Sequence, residues 1–395
     1  MLPPFISAGM LRHCLTAGAC AAAVAVFGRM DANPSLYWYH QWLQWRGPAR
    51  EYHCHFANKT VWIVGASSGI GEELAYQLSP FCGKLILSSR NVDRLQQVSW
   101  NCQQRQLEHS AANTNNNNKE PCQVVVLPMD ISSTPEELEQ VILTKLIPEL
   151  IPADSHQHPS LDCVIFNAGQ GHLSTVQETQ PETTMRMFQV NVISTIVLTQ
   201  LLLHNQIMAP SRSAAGNRPQ IVLTSSVGGR MGLPLSASYA ASKHALHGYA
   251  ASLQAECSSW LRVDTLCPGP IDTPFFQHQQ CHLTNNPTTT VTTPTTLTTE
   301  PRTIESNDGT KKSPLKMPVQ RLTSLVMSHM VRSSRTGTEA WIAKQPTLLG
   351  MYMQQYLPGL WRWVLNQKVG PLRVTLYQQG LDLYDPASWK SQGKK

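Results

Sequence analysis

From Thr60 onward, short apolar runs alternate with stretches of helical spacing. The runs TVWIVG, KLILSS, CQVVVLPMD, LDCVIFNAG, PQIVLTSS and LRVDTLCPG are continuously hydrophobic rather than alternating, the pattern of parallel strands covered on both faces. Between them lie SGIGEELAYQLSP, STPEELEQVILTKLIPEL, TTMRMFQVNVISTIVLTQLLLHNQI and SASYAASKHALHGYA, which carry helical periodicity. Ser133 or Thr134, followed by acids, reads as a helix cap. The third strand is expected to end at Asp130, and a last short strand near Glu339 to Ala343, before short helices broken at Pro358. This alternation predicts an α/β fold, a Rossmann-type doubly wound parallel sheet, with an amino-terminal membrane anchor and a carboxyl-terminal helical extension.

The two ends and two internal segments depart from that rhythm. Residues 1–30 contain no Asp or Glu, and the apolar run Cys14 to Gly28 lies between Arg12 and Arg29. At 15 residues it is shorter than the roughly 20 of an ordinary span. A signal anchor, a cleaved signal peptide and a mitochondrial presequence compete for it, and the anchor is the reading adopted. Residues 31–59 form an aromatic juxtamembrane segment in which Trp38, Trp42 and Trp45 follow helical spacing. They suit either a membrane interface or packing on the domain. The Rossmann unit is expected over 60–345, with disordered insertions near 103–120, around Asn113 to Asn118, and near 278–316, around the Thr- and Pro-rich Thr284 to Pro314. Residues 346–395 form the helical extension, rich in aromatics and Met.

Composition narrows the function. Charged residues make up only 14% of the 395 residues and the net charge is +6. No dense Lys/Arg run is present, which argues against nucleic acid as a partner. The ten cysteines show no CxxC pair, so no metal site is expected and the thiols read as small buried hydrophobes.

Three motifs carry chemistry. GASSGIG places Gly65, Gly69 and Gly71 directly after a strand and at the opening of a helix, where glycines let the backbone approach a pyrophosphate and free N–H groups bind it. The second strand ends SSRN, with no acid and with Arg90. A carboxylate there would accept from ribose hydroxyls and favour NAD, whereas a guanidinium suits a 2′-phosphate, so NADP(H) is the expected cofactor. Tyr239 and Lys243 stand four apart on a helix and share a face.

As a set, GASSGIG, Asp130, NAG at Asn167 to Gly169, YAASK and PGPIDT at Pro268 to Thr273 resemble the short-chain dehydrogenase/reductase (SDR) family, in its order and spacing. GEELAYQLS, PLSASYAASKHALHGY and WIAKQPTLLGMYMQQYLPGLWRW resemble its member 7 group more closely, whose proteins are similar in carrying an amino-terminal anchor. The resemblance implies catalytic roles for Tyr239 as proton donor, Lys243 as its partner, Ser226 as substrate-orienting hydroxyl and Asn191 as relay residue. It implies cofactor contacts from Gly65, Ser67, Ser68, Gly69, Ile70, Gly71, Arg90, Asp130, Asn167, Ala168, Gly169, Tyr239, Lys243, Pro268, Gly269, Ile271 and Thr273. Val64 and Phe166 depart from the family pattern at scaffold positions. The ammonium of Lys243 and a positive nicotinamide are expected to lower the Tyr239 pKa toward neutrality. The implied protein is a membrane-anchored, NADP(H)-dependent oxidoreductase reducing carbonyl groups of apolar substrates of retinoid, steroid or xenobiotic type. It would be single-pass, at the endoplasmic reticulum or alternatively the mitochondrion, and a homodimer as is common in the family. The competing reading is a non-catalytic membrane-surface or scaffold protein on the same fold.

Overall fold

The computed structural model describes residues 24–112, 121–151, 160–209, 218–276, 313–332 and 337–392. After a helical stretch at residues 24–29, the helices α1 (Pro34–Arg46) and α2 (Pro48–Phe56) lead into the sheet. Then follow β1 (Thr60–Val64), α3 (Gly69–Leu78), β2 (Lys84–Ser88), α4 (Val92–Ala112) and β3 (Gln123–Val126). Helix α5 (Pro135–Val141) starts at Thr134, whose side chain and Glu137 form a reciprocal capping box. Next come β4 (Cys163–Phe166), α6 (Pro181–His204), β5 (Gln220–Thr224), α7 (Ala237–Cys257) and β6 (Arg262–Pro268). A two-residue pairing of β7 (Ile271–Asp272) with β8 (Met317–Pro318) leads into α8 (Val319–Val331) and β9 (Glu339–Ile342). The chain closes with α9 (Thr347–Tyr356), α10 (Pro358–Val364), α11 (Gly370–Gln378) and α12 (Pro386–Gln392).

Seven strands form one sheet in the order β3-β2-β1-β4-β5-β6-β9. Every neighbouring pair in it is parallel, with Val61 opposite both Leu85 and Cys163. Successive side chains serve opposite layers, as a strand's period requires. Val61 and Ile63 join the cluster under α3, α4 and α8. Trp62 and Val64 join the one under α5, α6 and α7. Burial on both faces explains why the strand sequences lack polar alternation. Helix α6 is long and apolar enough to cross a membrane, yet Leu198 and Leu202 pack it onto the sheet, so it is a core helix. A π turn at Gln189–Ile193 interrupts it.

Several sequence expectations are corrected here. Residues 103–112 are not an insertion but the second half of α4, where the buried face of Leu95, Val98 and Cys102 continues to Gln106, whose Nε2 donates to the Cys122 carbonyl at 3.2 Å. Asn113 to Asn118 lie outside the described residues. So does the Thr-rich run, except that residues 313–316 form a turn tied to the extension by the Ser313 hydroxyl and the Tyr384 carbonyl. The third strand ends at Val126 rather than Asp130, although Leu127 and Met129 still donate to Leu87 and Ser89 carbonyls at 2.9 and 3.0 Å. The apolar run of the amino terminus lies outside the described residues up to position 23. Its end does not: Phe27 packs edge-on against Tyr352 and Met30 is buried. The aromatic segment packs on the domain through one face only. Leu36, His40 and Leu43 bury one face of α1 against the domain, while Trp38, Trp42 and Trp45 remain 56%, 41% and 84% exposed.

Among the described residues every cysteine is free, and Cys82, Cys102, Cys122, Cys163 and Cys267 are buried. Cys54 is exposed.

Candidate active site

The strand order reverses between β1 and β4, and a cleft opens there above the carboxyl ends of the strands. The turn after β1 is pressed into it. Gly65 has φ +93, and a Cβ at that position would sit 2.5 Å from the Ala168 nitrogen. A Cβ on Gly71 would sit 2.1 Å from the Gly65 carbonyl oxygen, which already accepts from Asn167 Nδ2 at 2.9 Å. Glycine is therefore required at both positions by close backbone approach. Helix α3 begins at Gly69, and no side chain caps it at Ser68. Its first N–H groups and positive dipole end are available to an anion.

A cavity of about 990 Å³ runs from this turn across the cleft. Gly65, Ser67, Ser68, Gly69, Ile70, Arg90, Asp130, Asn167, Ala168 and Gly169 line one part of it. Pro268, Gly269, Ile271 and Thr273 line it from the other side of the sheet's midline. Arg90 is exposed at the rim just past β2, and no carboxylate stands at that strand end. Asp130 instead forms a local turn, accepting from the Ser132 nitrogen and hydroxyl at 2.9 and 2.7 Å. The glycine cradle, uncapped helix end and rim guanidinium fit a dinucleotide phosphate. Gly71 and Asn191 do not line the cavity. Gly71 acts by letting α3 pack against β1, and Asn191 acts from behind the wall.

Tyr239 and Lys243 occupy successive turns of α7, and Lys243 is 3% exposed. Lys243 Nζ donates to the Thr224 carbonyl at 2.8 Å and lies 5.9 Å from the Tyr239 ring centre. Burial lowers the Lys243 pKa to about 8. Burial also pushes Tyr239 up to about 12, a hydrogen bond with Ser226 pulling the other way and the Tyr384 phenol adding to the rise. The chain's own residues therefore keep the phenol protonated. The Lys243 ammonium hydrogen-bonds a backbone carbonyl, so among the chain's own residues burial of the phenol prevails; the lowering expected from the ammonium together with a positive nicotinamide belongs to the cofactor-bound site. Ser226 caps a short turn, accepting from the Gly228 nitrogen at 3.1 Å, and this fixes its hydroxyl beside Tyr239. Asn191 sits in the π turn of α6, a common device for re-aiming a functional side chain. Its Oδ1 accepts from the Gln170 nitrogen at 2.7 Å, and its Nδ2 donates to Gln170 O and Ser242 Oγ, both at 3.0 Å. A Cβ on Gly169 would stand 3.3 Å from Asn191 Oδ1 and 3.4 Å from Lys243 Nζ, so the two groups flank one glycine.

The family model for short chain dehydrogenases matches residues 59–283, more than half of the chain. The chain belongs to the short-chain dehydrogenase family. It is 30% identical to human dehydrogenase/reductase SDR family member 7 over 358 residues, 90% of this chain and 89% of that protein. The mouse protein of the same name is 30% identical over 359 residues, with the same coverage. A solved alcohol dehydrogenase from the archaeon Thermococcus sibiricus, complexed with 5-hydroxy-NADP, superposes with a TM-score of 0.53 at 20% identity. It covers 73% of this chain and 97% of its own. The alignment to the member 7 proteins runs past the end of the family model and so takes in residues of the extension.

In this short-chain dehydrogenase the extension is also part of the cavity, which the sequence reading missed. Met353, Trp361, Val369, Arg373, Tyr384 and Trp389 line it, facing Leu173 and Phe275 from the core. The aromatic and Met-rich composition was visible, but nothing in it distinguishes a cavity wall from a packed face. A second unread feature lies beneath the site. Ser225 Oγ is 2.9 Å from His247 Nε2, and His247, Cys267 and Glu339 bring potential metal ligands within 4.8 Å of one another. The Arg230 guanidinium already neutralises Glu339. Burial, foremost, holds His247 down to about 3 and keeps the Cys267 thiol well above its ordinary value. The cluster is thus a hydrogen-bonded, protonated-thiol layer supporting the strand end that bears Ser226.

Proposed function

We propose that this chain is a membrane-associated, NADP(H)-dependent reductase of apolar carbonyl compounds, with retinoid, steroid and xenobiotic ketones and aldehydes as the substrate class. The observation that carries the reading is one cavity joining a glycine cradle to an apolar chamber, with Ser226 and Tyr239 both lining it between them. Gly65, Ser67, Ser68, Gly69 and Ile70 would hold the pyrophosphate, and Arg90 the adenosine 2′-phosphate. Asp130 is assigned to the adenine side, and Asn167, Ala168 and Gly169 to the middle of the cofactor. Pro268, Gly269, Ile271 and Thr273 are assigned to its nicotinamide end. When bound, the reduced nicotinamide supplies a hydride to the carbonyl carbon. Tyr239, protonated across the physiological range, delivers the proton to the carbonyl oxygen. Ser226 donates a hydrogen bond where negative charge develops on that oxygen. Lys243, depressed to about 8 by burial, is poised to give and regain a proton near neutral pH. Asn191 fixes the Gln170 backbone and Ser242 beside it.

The membrane part of the proposal draws on the apolar sequence before Gly28 and on exposed apolar side chains. Trp38, Trp42 and Trp45 on α1, and Tyr356, Leu357, Leu360 and Trp363 around α10, are all more than two-fifths exposed. Aromatics of this kind favour the bilayer interface. Two measurements test the reading. NADPH consumption with a panel of ketones and aldehydes should exceed NADH consumption, and no turnover with any carbonyl would favour the scaffold alternative. Carbonate extraction of microsomes should leave the protein in the pellet, and quantitative release would defeat the anchor.

A further inference from the structure

The mechanism leaves one buried cation of the cavity unused. Arg373, on α11, is 8% exposed and lines the substrate part of the cavity. Its Nε and Nη2 are buried without a hydrogen-bond partner, and it enters no ion pair among the described residues. Its Cζ lies 5.7 Å from the Tyr384 ring centre, a cation–π contact that holds the guanidinium in place but satisfies no N–H. Tyr384 is in turn close enough to Tyr239 to oppose ionisation of that phenol, which puts the guanidinium on the reactive side of the cavity. Its neighbours Leu372, Val374 and Leu376 belong to one packed apolar cluster, and a second cation, Lys316 Nζ, lies 5.7 Å from the same Tyr384 ring centre.

A guanidinium cannot shed its proton to escape such a setting, and an unpaired buried charge is strongly unfavourable. The pair left open is informative. Nε and one terminal nitrogen form the side-on edge of the fork, the edge that a planar carboxylate meets with two parallel hydrogen bonds. We propose that Arg373 binds an oxyanion on the substrate, and that the natural substrates are amphiphilic oxo acids: apolar carbonyl compounds with a carboxylate distant from the reacting group. This rests on the carbonyl-reductase reading and gives it a specificity determinant that neutral retinoid or steroid carbonyls would leave unpaired.

The test uses the full chain in detergent with a series of benzoylalkanoates of increasing chain length, each paired with its methyl ester and with a benzoylalkyl sulfate of matched length. For the best-fitting length, kcat/KM for the acid should exceed that for the ester by about tenfold or more. In Arg373→Gln the acid-to-ester ratio should fall close to one, and Arg373→Lys should restore part of it. A readout without turnover is the melting midpoint, which the acid should raise more than the ester in the unaltered protein and not in Arg373→Gln. NADPH affinity, set at the other end of the cavity, shows that each variant is folded. Equal rates for acid and ester, with a ratio indifferent to Arg373→Gln, would overturn the proposal while leaving the reductase reading intact. Preference for the sulfate over the carboxylate would overturn the carboxylate assignment. Failure to reduce any member or to bind NADPH would instead remove the reading on which the proposal stands.

Discussion

The two ends of the cavity are built in different ways. The glycine-lined end comes from contiguous motifs at the carboxyl ends of parallel strands, and its shape depends on backbone approach, as at Gly65 and Gly71. The far end comes from side chains scattered over four helices and their connections after Pro346. Backbone geometry tolerates almost no substitution, whereas an apolar wall tolerates many of similar volume. The first end is therefore suited to one invariant ligand, the second to a changing one.

Substitutions at the two ends should separate along that line. The largest effect is expected where they meet. Tyr239→Phe should lower turnover by about 10²-fold or more while NADPH fluorescence still reports binding. Retention of a tenth of the activity would end the assignment of Tyr239 as proton donor. At the cradle, Gly71→Ala should reduce stability by roughly 3 kcal/mol, because the added carbon meets the Gly65 carbonyl rather than a movable side chain. Denaturant unfolding measures it, and an unchanged midpoint would show that α3 can shift. Arg90→Ala should weaken NADPH about tenfold and leave NADH nearly unchanged by titration, and equal affinities in the unaltered protein would contradict the rim assignment. At the far end, Met353→Ala should change kcat/KM only a few-fold, on the order of 1 kcal/mol, with NADPH affinity untouched. A parallel loss of NADPH affinity would show that the two ends are not separable.

The smallest effect lies outside the cavity. Burial, followed by the Arg321 guanidinium, lowers the His40 pKa from 6.5 to about 4, Asp31 opposing. The unfolded chain therefore binds a proton that the folded one refuses between those values. That contribution is present above about pH 6.5 and is lost as pH falls through about 4. His40→Gln should lose less stability on acidification across this window, measured by denaturant midpoints. An identical pH profile would mean that His40 charges without disturbing α1.

What the sequence disclosed follows the same division. The sheet was legible because strands buried on both faces must be apolar throughout, and the cofactor end because glycine spacing states a backbone requirement directly. Tyr239, Lys243 and Ser226 fall together in the structure, at the spacing read from the sequence. The Asn-rich run obscured α4, although Leu95, Val98 and Cys102 carried its period. Arg373 was illegible because its significance is an absence of partners, and a partner list exists only after folding. The setting of Tyr239 was only half legible, because the helical spacing of Lys243 fixes a neighbour but not where its ammonium points, and that ammonium meets the Thr224 carbonyl.

Phe27 rests against Tyr352 with ring centres 5.4 Å apart, and the Gln345 amide donates to its carbonyl at 3.1 Å. The next residue of α9, Met353, faces the cavity. The route from the folded body to residues 1–23 thus starts one side chain from the substrate chamber. With those residues held in a bilayer, as proposed, the leaflet becomes a reservoir tethered at the doorway. Substrate supply would then follow partition into lipid and lateral diffusion, at an effective concentration set by the length of the tether, and hardly at all by solubility in water.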